Sequence, residues 1–159
     1  MDDPRLLTEY FKRCFVAVDG LWFMMVEKED SFEKALELDR RVWGILPKIQ
    51  ARKIKELFKM EATGPEDLVK AFKFKLYAED FISEFKQEAS QLKITIKECP
   101  WLALLKKSKR EHLAEKISDA ICSIEYPVFA REFVETVDFK MLSRRCSGDS
   151  VCSFVFTIP

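Results

Sequence analysis

The stretch Ser143-Arg144-Arg145-Cys146-Ser147-Gly148-Asp149-Ser150-Val151-Cys152-Ser153-Phe154-Val155-Phe156 decides how this chain is read. Gly148-Asp149 stands between two β-prone runs, and glycine supplies the positive φ that a tight turn needs, so a β-hairpin is expected. In its outgoing strand Cys152, Phe154, Phe156 and Ile158 share one face, with Ser153 and Thr157 on the other, because side chains alternate along a strand. Cys146 and Cys152, six positions apart, flank the turn and can approach one another.

Working outward, Val137, Phe139 and Met141 alternate with Asp138 and Lys140, a strand leading into this hairpin. A second hairpin is expected earlier, where Phe81, Ser83 and Phe85 alternate with Ile82 and Glu84, and Leu92, Ile94 and Ile96 alternate with Lys93, Thr95 and Lys97. Its turn falls near Ala89-Ser90, and it ends at Glu98-Cys99-Pro100, where proline stops the ladder. Two hairpins make a four-stranded antiparallel sheet with one wet face.

The first half reads as helix. Leu7, Phe11, Phe15, Val18, Leu21, Trp22 and Met25 recur at three and four residues from Leu6 to about Lys28. Gly20 inside that run suggests close approach of another backbone or a ligand. Asp30 with Glu33 forms a capping box for a second helix to about Met60, bent or broken at Pro47. The short link makes the first two helices an antiparallel hairpin. Thr63-Gly64-Pro65-Glu66 opens a third helix ending near Ala78. Lys70, Lys73 and Lys75 read as its solvated face. Trp101 to Lys107 makes one or two helical turns, and Ser108 with Glu111 caps a further helix bearing His112, the sole histidine, on its surface. Pro127 suits the first turn of a last helix ending near Glu135, with Cys122 just before it, where the helix N-terminus would favour a thiolate. The expected fold is α+β: a single domain 1–159, helical over 1–78 and sheet-containing over 80–159.

Composition bounds the function. Lys plus Arg and Asp plus Glu both number 27, so no general field draws the chain to nucleic acid or to an anionic membrane. No apolar run approaches a membrane span, and Met1-Asp2-Asp3-Pro4 lacks the character of a secretory signal, so a soluble cytoplasmic protein is expected. Five cysteines, an odd number, argue against a fully paired secreted framework and for reduced thiols or metal ligands.

From Cys122 onward, a cysteine before a helix, then a strand, then Cys146-x-Gly148-Asp149-x-x-Cys152-x-Phe154, resembles the end of the 4-vinyl reductase-type small-molecule-binding domains. It is also similar to the L-2-amino-thiazoline-4-carboxylic acid hydrolase-like proteins. Asp19-Gly20-Leu21-Trp22-Phe23 and Glu125-Tyr126-Pro127-Val128-Phe129-Ala130 look like an uncharacterised prokaryotic branch of that superfamily. The resemblance implies an antiparallel sheet packed on helices with a pocket between them and, in some members, a zinc held largely by cysteines. Its ligands would fall on Cys122, Cys146 and Cys152. Ser143 stands near where some members carry a glutamate, and Cys99 at its strand end is the candidate replacement. Four thiolates suit tetrahedral zinc. Plain reduced cysteines and a Cys146 to Cys152 disulfide are the alternatives. For the hydrolases, Ser153 replaces an aspartate that tends to follow the last cysteine.

Three functional readings follow. The first is a domain that binds a small apolar or aromatic molecule, with Trp22, Phe23, Trp43 and Tyr126 as candidate pocket walls and zinc on Cys99, Cys122, Cys146 and Cys152 as a structural clasp. The second is a cysteine-dependent hydrolase of a cyclic amidine or thiazoline-type substrate, using Cys122 or Cys99. The third is an interaction module that forms a homodimer through an exposed helix face.

Overall fold

A computed structural model describes residues 3–61 and 63–158; Met1 and Asp2, part of the start read above, lie outside the described residues. The chain gathers into two compact units, Met1–Arg41 and Val42–Pro159.

The first unit holds helix α1 (Pro4–Glu29) and most of α2 (Phe32–Trp43). Asp3 caps α1, its carboxylate accepting from the Arg5 amide at 2.9 Å, and Pro4 takes the first-turn place where no donor is needed. The link is Asp30-Ser31. Ser31, rather than Asp30, caps α2, its hydroxyl accepting from the Lys34 amide at 3.1 Å. Phe23 meets Phe32 edge-on at 5.7 Å. Among the described residues nothing lies within 4 Å of a Cβ built on Gly20, so the expected close approach is not seen there.

In the second unit, α3 (Leu46–Phe58) begins after the break foreseen at Pro47, which sits in its first turn. Helix α4 (Pro65–Ala78) has Gly64 at its N-cap, and among the described residues no side chain caps it. Strands β1 (Ile82–Glu88) and β2 (Gln91–Glu98) form the first hairpin, with Ala89 at the turn in a left-handed conformation of φ 45°. Helix α5 (Pro100–Lys107) follows at once. Ser108 ends α5 instead of opening the next helix, and His112 lies exposed on a 3-10 turn, Glu111–Leu113. Helix α6 runs unbroken from Ala114 to Arg131 with Pro127 inside it. Strands β3 (Asp138–Ser143) and β4 (Cys152–Thr157) complete an antiparallel sheet of order β1-β2-β4-β3.

The sheet buries one face, as its alternation requires. Leu92, Ile94, Phe154 and Phe156 are fully buried, and Phe72 of α4 and Phe129 of α6 close over them. Phe72 lies 4.7 Å from Phe129 and 5.3 Å from Phe156, while Tyr126 stacks on Phe154 at 4.4 Å and 13°. Such ring pairs add roughly 0.5–1.5 kcal/mol each beyond the area they bury. Chain order does not foretell the central pairing of β2 with β4. It sets Leu92 opposite Phe156, Ile94 opposite Phe154 and Ile96 opposite Cys152.

Candidate metal centre

The register of β2 against β4 builds the site. With Ile96 opposite Cys152, Cys99 lies three residues past that pair, at the same end of the sheet. Cys99 is the residue before α5, and the amides of Leu102 and Trp101 in its first turn favour its thiolate. Cys146 sits on a 3-10 turn, Arg145–Ser147, in the β3–β4 connection. Gly148 ends that turn with φ 99°, the positive value the sequence called for. The connection is longer than a two-residue turn and is tied internally. Asp149 accepts from the Arg144 amide at 2.7 Å, and Ser143 donates to the Val151 carbonyl at 3.0 Å. The Arg144 guanidinium reaches Asp119 of α6 at 2.7 Å, bringing the turn to the helix that carries Cys122.

Cys122 requires a correction. It does not precede a helix but lies inside α6, because Pro127 is accommodated mid-helix and not at a start. One missing amide is tolerated where Tyr126, Phe129 and Ala130 anchor that segment in the core. Cys122 therefore gains nothing from a helix N-terminus. Burial, reinforced by the charge of Glu125, pushes its thiol well above the ordinary range. The Ser118 hydroxyl, one turn earlier, donates to Cys122 Sγ at 3.6 Å and also favours the Cys146 thiolate.

The four thiols thus sit on four elements, and several pairs of them lie within electrostatic reach. Burial pushes Cys99 up to about 12, with further push from Cys152 and Cys146. Cys122 feels Cys99 and Cys152, and Cys146 feels Cys152. Both Cys146 and Cys152 are raised chiefly by burial, while Arg144 and Arg145 pull the other way. The Arg145 amide donates to Cys152 Sγ at 3.2 Å. All five cysteines are free thiols, and Cys14 belongs to α1 of the first unit. Among the described residues no three His, Cys, Asp or Glu side chains are arranged around a common metal position. The thiols are gathered but not in coordination geometry. As a donor set they suit a soft, tetrahedral ion, and a divalent cation would reverse the penalty that keeps them protonated.

The candidate pocket walls are placed differently from one another. Trp22 is 69% exposed on α1, and Phe23 is half-buried against Phe32. Trp43 is buried edge-on to Trp101 at 5.8 Å, and Tyr126 is buried against Phe154. A cleft of about 410 Å³ opens elsewhere, lined by Arg131, Glu135, Thr136, Val137, Asp138 and Thr157.

Sequence reading missed a buried ionic group beside the thiols. Lys75 is only 2% exposed, contrary to the solvated face expected of it, and its ammonium lies 2.6 Å from both Glu79 and Glu125. Gln50 donates to Glu79 at 2.8 Å. Burial alone would lower the lysine, but the two carboxylates outweigh it and hold its pKa above the usual value. A signal was present: Lys75 follows Leu68 and Phe72 at helical spacing, on the core face, with Glu79 one turn later.

A family model described as "Family of unknown function (DUF6125)" matches residues 5–158. The chain belongs to this family. No curated protein matches it. The DUF6125 match spans both compact units and all four clustered thiols. Its description assigns no activity, so the likeness to the 4-vinyl reductase-type and hydrolase-like proteins stays an expectation. No helix among the described residues is long and apolar enough to cross a membrane.

Proposed function

We propose that the larger unit of this DUF6125 chain binds zinc through Cys99, Cys122, Cys146 and Cys152, and that the ion clasps the end of the sheet to α5 and α6. One observation carries this reading: thiols from three separate stretches of sequence, Cys99, Cys122 and Cys146 with Cys152, interact near one end of the β2–β4 pair. Amides of Trp101, Leu102 and Arg145 and the guanidinium groups of Arg144 and Arg145 favour the thiolate form that a metal needs. Binding of a small apolar or aromatic molecule rests on the family resemblance, since Trp43 and Tyr126 lie in packed surroundings.

The hydrolase reading is less well supported. Burial pushes both Cys99 and Cys122 up, and a protonated thiol is a poor nucleophile without a base to take its proton. Metal analysis of protein purified without added zinc separates the two. A clasp gives about one equivalent, and Cys122→Ser or Cys152→Ser loses zinc and thermal stability together. Less than about a tenth of an equivalent, with stability untouched by either substitution, contradicts the clasp.

A further inference from the structure

Helix α1 has no buried residue, yet it carries an apolar stripe along its whole length. Leu7, Phe11, Cys14, Val18, Leu21 and Met25 follow one another at alternating spacings of four and three, the seam of a heptad repeat sustained over three turns of the pattern. Among the described residues ten large apolar side chains of this helix are exposed, from Phe15 at 38% to Leu6 and Trp22 at 69%. At roughly 100 Å² apiece, half of what a large side chain presents in full, they offer on the order of 1,000 Å². A stable interface buries about 800 Å² per partner.

We infer that α1 pairs antiparallel with α1 of a second copy of this chain, about a two-fold axis passing near residue 16. In the antiparallel direction this is the register in which the seam is self-complementary. Leu7 then meets Met25 of the second copy, Phe11 meets Leu21, and Cys14 meets Val18, so every seam residue has an opposite and the same contacts recur on the other side of the axis. On the flanks Phe15 faces its own counterpart and Tyr10 faces Met24 of the second copy.

Charge selects the same arrangement. Residues 4–17 hold Arg5, Lys12 and Arg13 against Glu9, a net +2, while residues 18–29 hold Asp19, Glu27 and Glu29 against Lys28, a net −2. Antiparallel pairing lays each positive half over the partner's negative half and opposes the two helix dipoles. Parallel pairing sets like halves together. An anionic lipid surface would meet the negative half as well as the positive one, which disfavours it as the occupant.

Sedimentation equilibrium of the full chain tests the pairing. The wild type is expected at twice the chain mass of 18.7 kDa, and Phe11→Asp at 18.7 kDa with unchanged far-UV circular dichroism. A wild type that stays at the single-chain mass at every concentration overturns the inference, whether its face lies on its own chain or on a vesicle. Thiol cross-linking tests the register. Under a diazene oxidant, which takes up the two protons and two electrons released, Val18→Cys should yield a covalent dimer through Cys14 that Cys14→Ser abolishes. A wild-type covalent dimer that depends on Cys14 alone means parallel helices and overturns the register.

Discussion

Thiols and a buried lysine set the chemistry at the scale of single residues. Lys75 with Glu79 and Glu125 is a buried ionic group whose members are each compensated. Removing its cation leaves two carboxylates facing each other in a poorly solvated site. Lys75→Met should therefore cost about 3–5 kcal/mol in urea unfolding, and adding Glu125→Gln should recover part of the loss. A cost under about 1 kcal/mol, as for an exposed pair, would contradict this. The lysine's folded pKa is raised, so its stabilisation is fully present below the ordinary value of 10.5 and is lost only as pH climbs through the higher folded value. The thiols obey the same sign for a different cause. Burial raises Cys99, Cys122 and Tyr126, so the unfolded chain releases those protons first as pH rises. Reduced, chelated protein should lose stability above about pH 9, the ordinary thiol value, and continue to do so toward about 12. Zinc-loaded protein should show much less of this alkaline loss, because its thiolates are already formed, and should instead release metal in acid. Denaturant midpoints measured across pH with and without chelator distinguish the two forms.

Among the elements, the β3–β4 connection is what places Cys146 and Cys152, and its glycine is constrained by backbone and not by space. Gly148 has φ 99° and nothing within 4 Å of a built Cβ. Gly148→Ala should destabilise by about 1–2 kcal/mol and weaken metal binding, while Gly148→Asn should do so less. Gly20 is the converse: it is helical with open space, so Gly20→Ala should stabilise by up to about 1 kcal/mol in thermal unfolding. How legible each element was follows from how local its cause is. The hairpin turning at Ala89-Ser90 was readable because Leu92, Ile94 and Ile96 alternate strictly with polar residues, and the sheet face they form needs nothing else. Helix α6 was not, since Pro127 is a start signal in isolation, and only the anchoring of Tyr126 and Phe129 beneath it lets the helix continue. Lys75 was misassigned for a similar reason: its charge suggested solvent, while its partner Glu125 lies fifty residues away.

At the scale of the larger unit, the pairing of β2 with β4 brings Cys99 and Cys152 to the same end of the sheet. No local pattern in the sequence states that pairing, because it joins strands separated by two helices and another strand. The cysteine positions were legible in the sequence, while the strand order that sets Cys99 near Cys152 was not. The seam of α1 was legible as a helical face but was assigned to a core, since periodicity shows that a face is apolar and not what covers it. Whether the four thiols hold one metal ion is decided by titrating the reduced, metal-free chain with cobalt(II) and recording its absorption spectrum. A thiolate site gives sulfur-to-cobalt charge-transfer bands and intense tetrahedral d–d bands that saturate at about one equivalent and fade when zinc is added. A weak octahedral spectrum without charge transfer, unchanged by Cys99→Ser or Cys152→Ser, would contradict it.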